Sequence, residues 1–369
     1  MRALFFVLII AATFAQRPAP SSRPRARDLG IAPGVMQPGP LNAITDVAGV
    51  RVGQVTIASD TVRTGVTAIV PHGGNLFREK VPGAVFVGNA FGKLAGSTQV
   101  EELGTIETPI VLTNTLSVGT AVEAVVRSTI AQRGNETVRS VNALVGETND
   151  GTLNDIRGFH VGREHVTSAI ALAKAGAVDE GAVGAGTGTV AFGWKGGIGT
   201  SSRVVRQQGG TWTVGVLVQT NYGGRLVVDG VPVWKTLRPS DASGQAAADG
   251  SCMIVVATDA PLDARDLKRL AARAVFALAR TGSTYSNGSG DFAIAFSTHP
   301  SLRVMAATTP QARTVLPTDS VSALFEATLD ATEEAVYNSL LKATDTTANG
   351  RTVAALPIEP LKQLLSTRR

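Results

Sequence analysis

The chain has 369 residues, 44% hydrophobic and 17% charged, and its 40 glycines make up about 11% of it against a usual share of about 7%. This length and apolar content suit a packed core of enzyme size and exclude a disordered chain, and no self-similar period marks a repeat array. The net charge of +5 is scattered apart from Arg23 to Arg27 and Arg368-Arg369, so no basic face for nucleic acid is expected; the single Cys252 forbids an intramolecular disulfide, and His72, His160, His165 and His299 lack zinc-ligand spacing, so no metal site is expected.

Met1-Arg2 opens onto an apolar run, Ala3 to Ala12, then the small residues Thr13 and Ala15 around Phe14, and then Gln16, Arg17 and Pro18. The run is shorter than the roughly 20 residues a membrane span needs. It reads as a signal peptide over residues 1–15, which predicts export to the periplasm or the medium. Residues 16–40, rich in Pro, Ser and Arg, read as a mobile arm. No later stretch is apolar enough to hold the processed protein in a membrane.

From Leu41 to Pro109, short β-branched runs alternate with Gly, Pro and Asn, which predicts strands at Val47 to Val52, Gln54 to Ala58, Gly65 to Val70 and Ala84 to Gly88. Ser117 stands where it would cap a helix whose apolar positions Ala121, Val122, Val125 and Val126 recur at helical spacing, with Gly134 as its stop. A second helix is expected from Arg163 to Ala175. Gly181 to Ser202 holds eight glycines. The phosphate-loop pattern GxxxxGK[ST] is not met, because Lys195 is followed by Gly196, so the segment reads as tight turns and close backbone approaches, with a strand from Trp212 to Gln219 after it.

Cys252 to Ala257 is a continuous apolar run of strand length between Gly250 and Pro261. Leu267, Leu270, Ala271, Ala274, Val275 and Leu278 then share one helical face that ends at Gly282, Phe292 to Phe296 makes another buried-type strand, and Ser320 stands where it would cap a last long helix through Leu340. Strand, helix, strand recurs, so the class is α/β or α+β with layered sheets.

No GxSxG elbow or SxxK tetrad is present, and Cys252 reads as a buried strand residue. Ser251 follows a flexible Gly and opens a rigid strand. Were the Gly250–Ser251 bond cut, Ser251 would carry a hydroxyl and a free α-amine, whose reference pKa of about 7.7–8.0 suits it as the base for its own hydroxyl. Before the cut the same hydroxyl would attack the Gly250 carbonyl, with Gly leaving that carbonyl unshielded. On these residues alone an ordinary Gly-Ser turn into a strand is the simpler reading, as is a polar turn at Asn287 to Gly290.

Four separated strings, VGETNDGTLNDIRG, GAVGAGTGTVAFGWKGGIGTSSR, DGSCMIVVATDAPL and SNGSGDFAIAFST, occur in the order found in the DmpA-type aminopeptidases, and from about Leu41 to Ser339 the chain resembles that family of L-aminopeptidase/D-Ala-esterase/amidases and β-peptidyl aminopeptidases. The resemblance implies a four-layer αββα sandwich similar to N-terminal-nucleophile hydrolases but with different connectivity. It implies one catalytic domain over residues 41–369, self-cleaved after Gly250 into an α-chain (16–250) and a β-chain (251–369), and assembled as a homotetramer of αβ units. By residue, it makes Ser251 the nucleophile, Ser289 and Asp291 its serine and acidic partners, Asn221 the oxyanion donor and Glu147 the acceptor of the substrate's free amino group. Thr152 replaces a bulkier, often aromatic residue, which bears on pocket shape. Substrates would be short peptides, amides or esters with a free amine, hydrolysed without metal or cofactor. Two readings compete with it: the same fold working as an acyltransferase that passes the acyl group to an amine, as in ornithine acetyltransferases, and a non-catalytic exported binding protein that kept the scaffold.

Overall fold

A computed structural model describes residues 22–239 and 250–367. The signal-peptide reading and the start of the predicted arm lie outside the described residues. In chain order the first half contains β1 (Arg51–Ala58), β2 (Arg63–Val70), β3 (Val81–Ala90), β4 (Leu94–Ala95), α1 (Ser97–Leu103), β5 (Thr105–Ile106), β6 (Ile110–Asn114), α2 (Val118–Ile130), β7 (Leu144–Thr148) and α3 (Arg163–Ala171). The rest contains β8 (Val190–Ala191), β9 (Trp194–Lys195), β10 (Gly197–Gln207), β11 (Gly210–Asn221), β12 (Ser251–Thr258), α4 (Ala264–Thr281), β13 (Gly290–Ser297), α5 (Ser322–Leu341), a hairpin of β14 (Thr346–Ala348) and β15 (Arg351–Val353), and α6 (Ile358–Ser366).

Two large sheets form, one in the order β1-β2-β6-β7-β4 and the other in the order β10-β11-β12-β13-β3-β5. Side-chain alternation along the strands separates three apolar layers. On β12, Met253, Val255 and Ala257 join Phe292, Ile294, Ile110 and Leu112 between the sheets, whereas Cys252, Ile254 and Val256 join Leu267, Leu270 and Leu324 under α4 and α5. Val66, Ala68, Val111 and Val145 pack outward against Ala121 and Val125 of α2 and Val166 of α3. The result is the four-layer αββα sandwich, each buried Leu, Ile or Val in it contributing roughly 1.5–3 kcal/mol.

All eight residues of β12 are buried, as the unbroken apolar run requires of a central strand covered on both faces. The α4 crossover makes β12 and β13 parallel neighbours, while β11 runs antiparallel to β12. Asp263 caps α4 by accepting from the Asp266 N–H at 3.0 Å, and Gly282 ends it at φ 99°.

Several boundaries differ from the sequence reading. The two strands expected at Val47 to Val52 and Gln54 to Ala58 form one, β1, which starts at Arg51 because Val47 to Val50 make a turn in which the Val50 N–H donates to the Val47 carbonyl at 3.1 Å and Gly49 has φ 91°. The side chain of Asn114, not Ser117, accepts from the helix-entry N–H at Ser117. Helix α3 stops at Ala171, and the Lys174 backbone turns away to pair with Val52 of β1. Ser320 lies in a preceding 3-10 turn and does not cap α5.

The mobile arm is corrected over residues 22–40. Ala26 and Ile31 are fully buried in the helix-side layer, Arg25 pairs with Glu180 at 2.7 Å, and Arg27 pairs with Glu334 of α5 at 3.0 Å. The Pro- and Arg-rich composition suggested a linker, but the arginines each find carbonyl or carboxylate partners on the domain.

Candidate active site

Ser251, the first residue of β12, lies between two register partners: Asn221, the last residue of β11, and Gly290, the first residue of β13. Ser251 shares the strand face of Met253, so its hydroxyl points toward the layer between the sheets. A Cβ added at Gly290 would lie 3.1 Å from Ser251 Oγ and 3.0 Å from the Phe91 carbonyl oxygen, so the absence of a side chain at Gly290 leaves the hydroxyl open on that flank.

The Asn221 side chain is oriented by one bond. Its Oδ1 accepts from the Val190 N–H at 3.0 Å, and because that partner can only donate, the opposite end of the amide is the Nδ2 donor. Gly250 is small for a reason other than an open carbonyl. A Cβ there would come within 2.2 Å of the Asn221 carbonyl oxygen. Its own carbonyl accepts from the Gly290 N–H at 3.0 Å, so the predicted unshielded group is held and polarised.

Ser289 donates to Asp291 Oδ2 at 2.7 Å, and both side chains are buried. Burial pushes the Asp291 carboxyl up to about 6, against the pull of the Ser289 hydroxyl and the Cys252 backbone N–H. Asp291 is level with Cys252, whose alternation places it on the helix side of the sheet, so the pair sits behind Ser251 and not on its open face. Burial, with Asp291 adding to it, pushes the Cys252 thiol well above its ordinary range, so its thiolate is disfavoured.

Glu147, near the end of β7, is buried, and burial raises its carboxyl against the opposing charge of Lys93. It accepts from the Lys93 backbone N–H at 2.9 Å, with the Lys93 ammonium 3.7 Å away. Gly92 lies between this carboxylate and the Gly290 flank of Ser251. A Cβ on Gly92 would lie 3.1 Å from Glu147 Oε1, 3.3 Å from Phe292 and 3.4 Å from the Gly290 Cα. Thr152 is exposed.

Sequence reasoning missed the end of β3 and the residues that follow it. Asn89 donates to the carbonyls of Ser286 at 2.7 Å and Ser289 at 2.6 Å, and the Phe91 N–H donates to the Ser289 carbonyl at 3.0 Å, so this stretch clamps the loop that carries Ser289 and Gly290. The available signal was the Gly88 to Lys93 punctuation after a strand, which resembles an ordinary strand end. Among the described residues no group of three or more His, Cys, Asp or Glu is arranged to hold a metal ion, and no helix is long and apolar enough to cross a membrane.

A hydroxyl at a strand opening, flanked by an amide donor and a side-chain-free gap, with a buried carboxylate one residue's width beyond, is suited to nucleophilic acyl chemistry on an amine-bearing substrate. Comparison with known proteins agrees. The β-peptidyl aminopeptidase BapA of Sphingosinicella microcystinivorans is 43% identical over 397 aligned positions, covering 100% of this chain and 98% of that protein. A solved β-aminopeptidase of Burkholderia sp. superposes with a TM-score of 0.85 at 41% identity, covering 93% of this chain and 98% of that one. The L-aminopeptidase D-Ala-esterase/amidase of Ochrobactrum anthropi, described as a variant of the Ntn hydrolase fold, does so with a TM-score of 0.87 at 38% identity, covering 94% and 99%. The family model of peptidase family S58 matches residues 42–353. The protein is an aminopeptidase whose N-terminal-nucleophile chemistry fits that fold, and its chain belongs to peptidase family S58.

Proposed function

We propose that this aminopeptidase is exported, cuts itself between Gly250 and Ser251, and then uses Ser251 to remove N-terminal residues, β-amino acid residues included, from short peptides, amides and esters. The observation that carries the reading is the seat of Ser251 between Asn221 and Gly290 with the preceding carbonyl, that of Gly250, on the Gly290 N–H. Export is supported by the apolar N-terminal run, and the β-amino preference by the names of the BapA and Burkholderia relatives.

In the precursor, Ser251 Oγ gives up its proton and bonds to the Gly250 carbonyl carbon. The tetrahedral intermediate expels the Ser251 nitrogen, which takes a proton, leaving an ester between Gly250 and Oγ. Water opens the ester to a Gly250 carboxylate and a Ser251 that carries both hydroxyl and free amine. In turnover that amine takes the hydroxyl proton as Oγ attacks the substrate carbonyl, and the protonated amine returns the proton to the leaving amine or alcohol. Water then releases the acyl group as the free acid.

The carbonyl that Ser251 attacks is Gly250's in the first reaction and the substrate's in the second, so the Gly290 N–H that holds the one oxygen is available to the other. With Asn221 Nδ2 it makes a two-donor oxyanion site. Glu147 offers its carboxylate to the substrate ammonium, which fixes which residue is removed.

A denaturing gel and N-terminal sequencing test the cut. The wild type is expected as two bands, the smaller beginning at Ser251, and Ser251→Ala as one inactive band; full turnover by an uncut wild type would sink the reading. Hydrolysis of β-Ala, L-Ala and D-Ala p-nitroanilides tests the substrate class, and failure to hydrolyse the β-Ala compound would remove the β-amino part.

A further inference from the structure

Lys195 in β9 is a fully buried cation that the chemistry above does not use. Its ammonium donates to three backbone carbonyls, those of Gly186 and Thr189 at 2.9 Å each and of Gly196 at 2.8 Å. Three acceptors take three N–H bonds, which only the protonated amine possesses. Burial pushes this group down to about 7, and Asp150 opposes that pull.

The Thr189 carbonyl and the Val190 N–H belong to one peptide group. Lys195 draws on its oxygen, and its N–H donates to Asn221 Oδ1 at 3.0 Å. Val190 and Lys195 are also direct register partners, so the peptide is held from both sides. A positive charge on the oxygen of an amide makes its N–H a stronger donor, and a stronger donor on Asn221 Oδ1 makes Nδ2 a stronger donor in turn, since hydrogen bonds in a chain polarise one another.

We propose that Lys195 is a positioning residue for the oxyanion site: through the Thr189–Val190 peptide it orients Asn221 and strengthens its Nδ2 donor toward the developing oxyanion. The proposal rests on the reading of Asn221 given above. The gain arises where charge develops, in the transition state, so it belongs to kcat and not to substrate binding.

The test is a double-mutant cycle on the mature enzyme with Lys195→Met and Asn221→Ala, reading kcat, KM and the thermal midpoint. Lys195→Met is expected to lower kcat about tenfold, a part of the ~10²–10³ carried by a whole oxyanion donor, with KM within about twofold. In the Asn221→Ala background it is expected to change kcat no further. A kcat unchanged by Lys195→Met, or a tenfold loss that persists without Asn221, overturns the role of Lys195 while leaving the oxyanion reading intact. An Asn221→Ala enzyme with wild-type kcat sinks the oxyanion reading itself, and the proposal with it. If Lys195→Met does not accumulate as folded protein, Lys195→Gln, which keeps donors for the carbonyls and drops the charge, carries the same comparison, and a wild-type kcat in it overturns the proposal. For any variant that cuts too slowly to yield mature enzyme, the cycle is read on the self-cleavage rate of the purified precursors, with the same expected non-additivity and the same overturning result.

Discussion

Asn221 and Asp291 show how burial at single residues sets chemistry. Asn221 has its acceptor end occupied and its donor end free, so Asn221→Ala removes a donor without unpairing more than one backbone N–H. It is expected to lower kcat ~10²–10³ with a smaller change in KM, measured on a β-Ala or L-Ala p-nitroanilide. A loss confined to KM would place Asn221 in substrate binding instead. Asp291 makes a pH prediction for the precursor. Burial raises its carboxyl from 3.8 to about 6, so it is ionised above that pH and neutral below. On the proposed mechanism the ionised carboxyl, which accepts from Ser289, would also stabilise the ammonium formed at Ser251, so self-cleavage is expected to slow as pH falls through about 6. Asp291→Asn should cleave slowly with that limb removed, which separates Asp291 from Asp150, another buried carboxyl pushed up to about 6. An acid limb near 4 in the wild type would mean that Asp291 does not govern the cut.

At the scale of elements, the tight seam is β10 against α5. A Cβ on Gly199 would lie 1.9 Å from the Ala335 carbonyl oxygen, so strand and helix backbones touch there. Beside this contact Arg203 and Glu334 form a fully buried ion pair at 2.7 Å, and Glu334 also takes Arg27 and Asn42. Leaving Arg203 buried without its partner is costly, so Glu334→Ala is expected to destabilise by about 3–5 kcal/mol in urea unfolding. A change under about 1 kcal/mol would show that water or a neighbouring carboxylate replaces it. These contacts mark the limit of sequence reading. The apolar runs that became β12 and β13, the helical face of α4 and the Gly282 stop were legible because local periodicity and a φ of 99° are written in a few adjacent residues. Ser251, Ser289, Asp291, Asn221 and Glu147 entered as motif positions of the family the chain resembles, and their roles belong to the proposal. What made neighbours of Asn221, Ser251 and Gly290, and joined Gly92 to Glu147, is register between strands far apart in sequence, which no local pattern encodes. The same holds for residues 22–40, where Pro and Arg gave a linker's composition but Arg23 and Arg27 find partners some 300 residues away on α5 and Arg25 finds its own at Glu180.

Across the whole molecule, the proposed cut would divide one sheet between two chains. In the order β10-β11-β12-β13-β3-β5, the pair β12 and β13 belongs to the chain that begins at Ser251, and the strands on either side belong to the other. Neither piece closes its own core, because Met253, Val255, Phe292 and Ile294 pack against Ile110, Leu112 and Leu144 across the sheets. The segment at residues 22–40 adds a clasp from the first chain to the second. Arg23 donates to the Leu341 carbonyl at 2.8 Å, the Ala26 N–H donates to Asn338 Oδ1 at 2.9 Å, and Arg27 pairs with Glu334. The two chains of the mature enzyme are therefore expected to elute together in size-exclusion chromatography and to unfold in one cooperative transition. Removing residues 22–33 takes away the clasp together with the buried Ala26 and Ile31, which should lower the thermal midpoint of the cut protein by several degrees. In the uncut Ser251→Ala protein the same deletion should cost less, since there the backbone still joins the pieces and clasping them gains less from chain connectivity. Equal losses in the two forms would show that the segment serves only as core, with no part in holding the halves together.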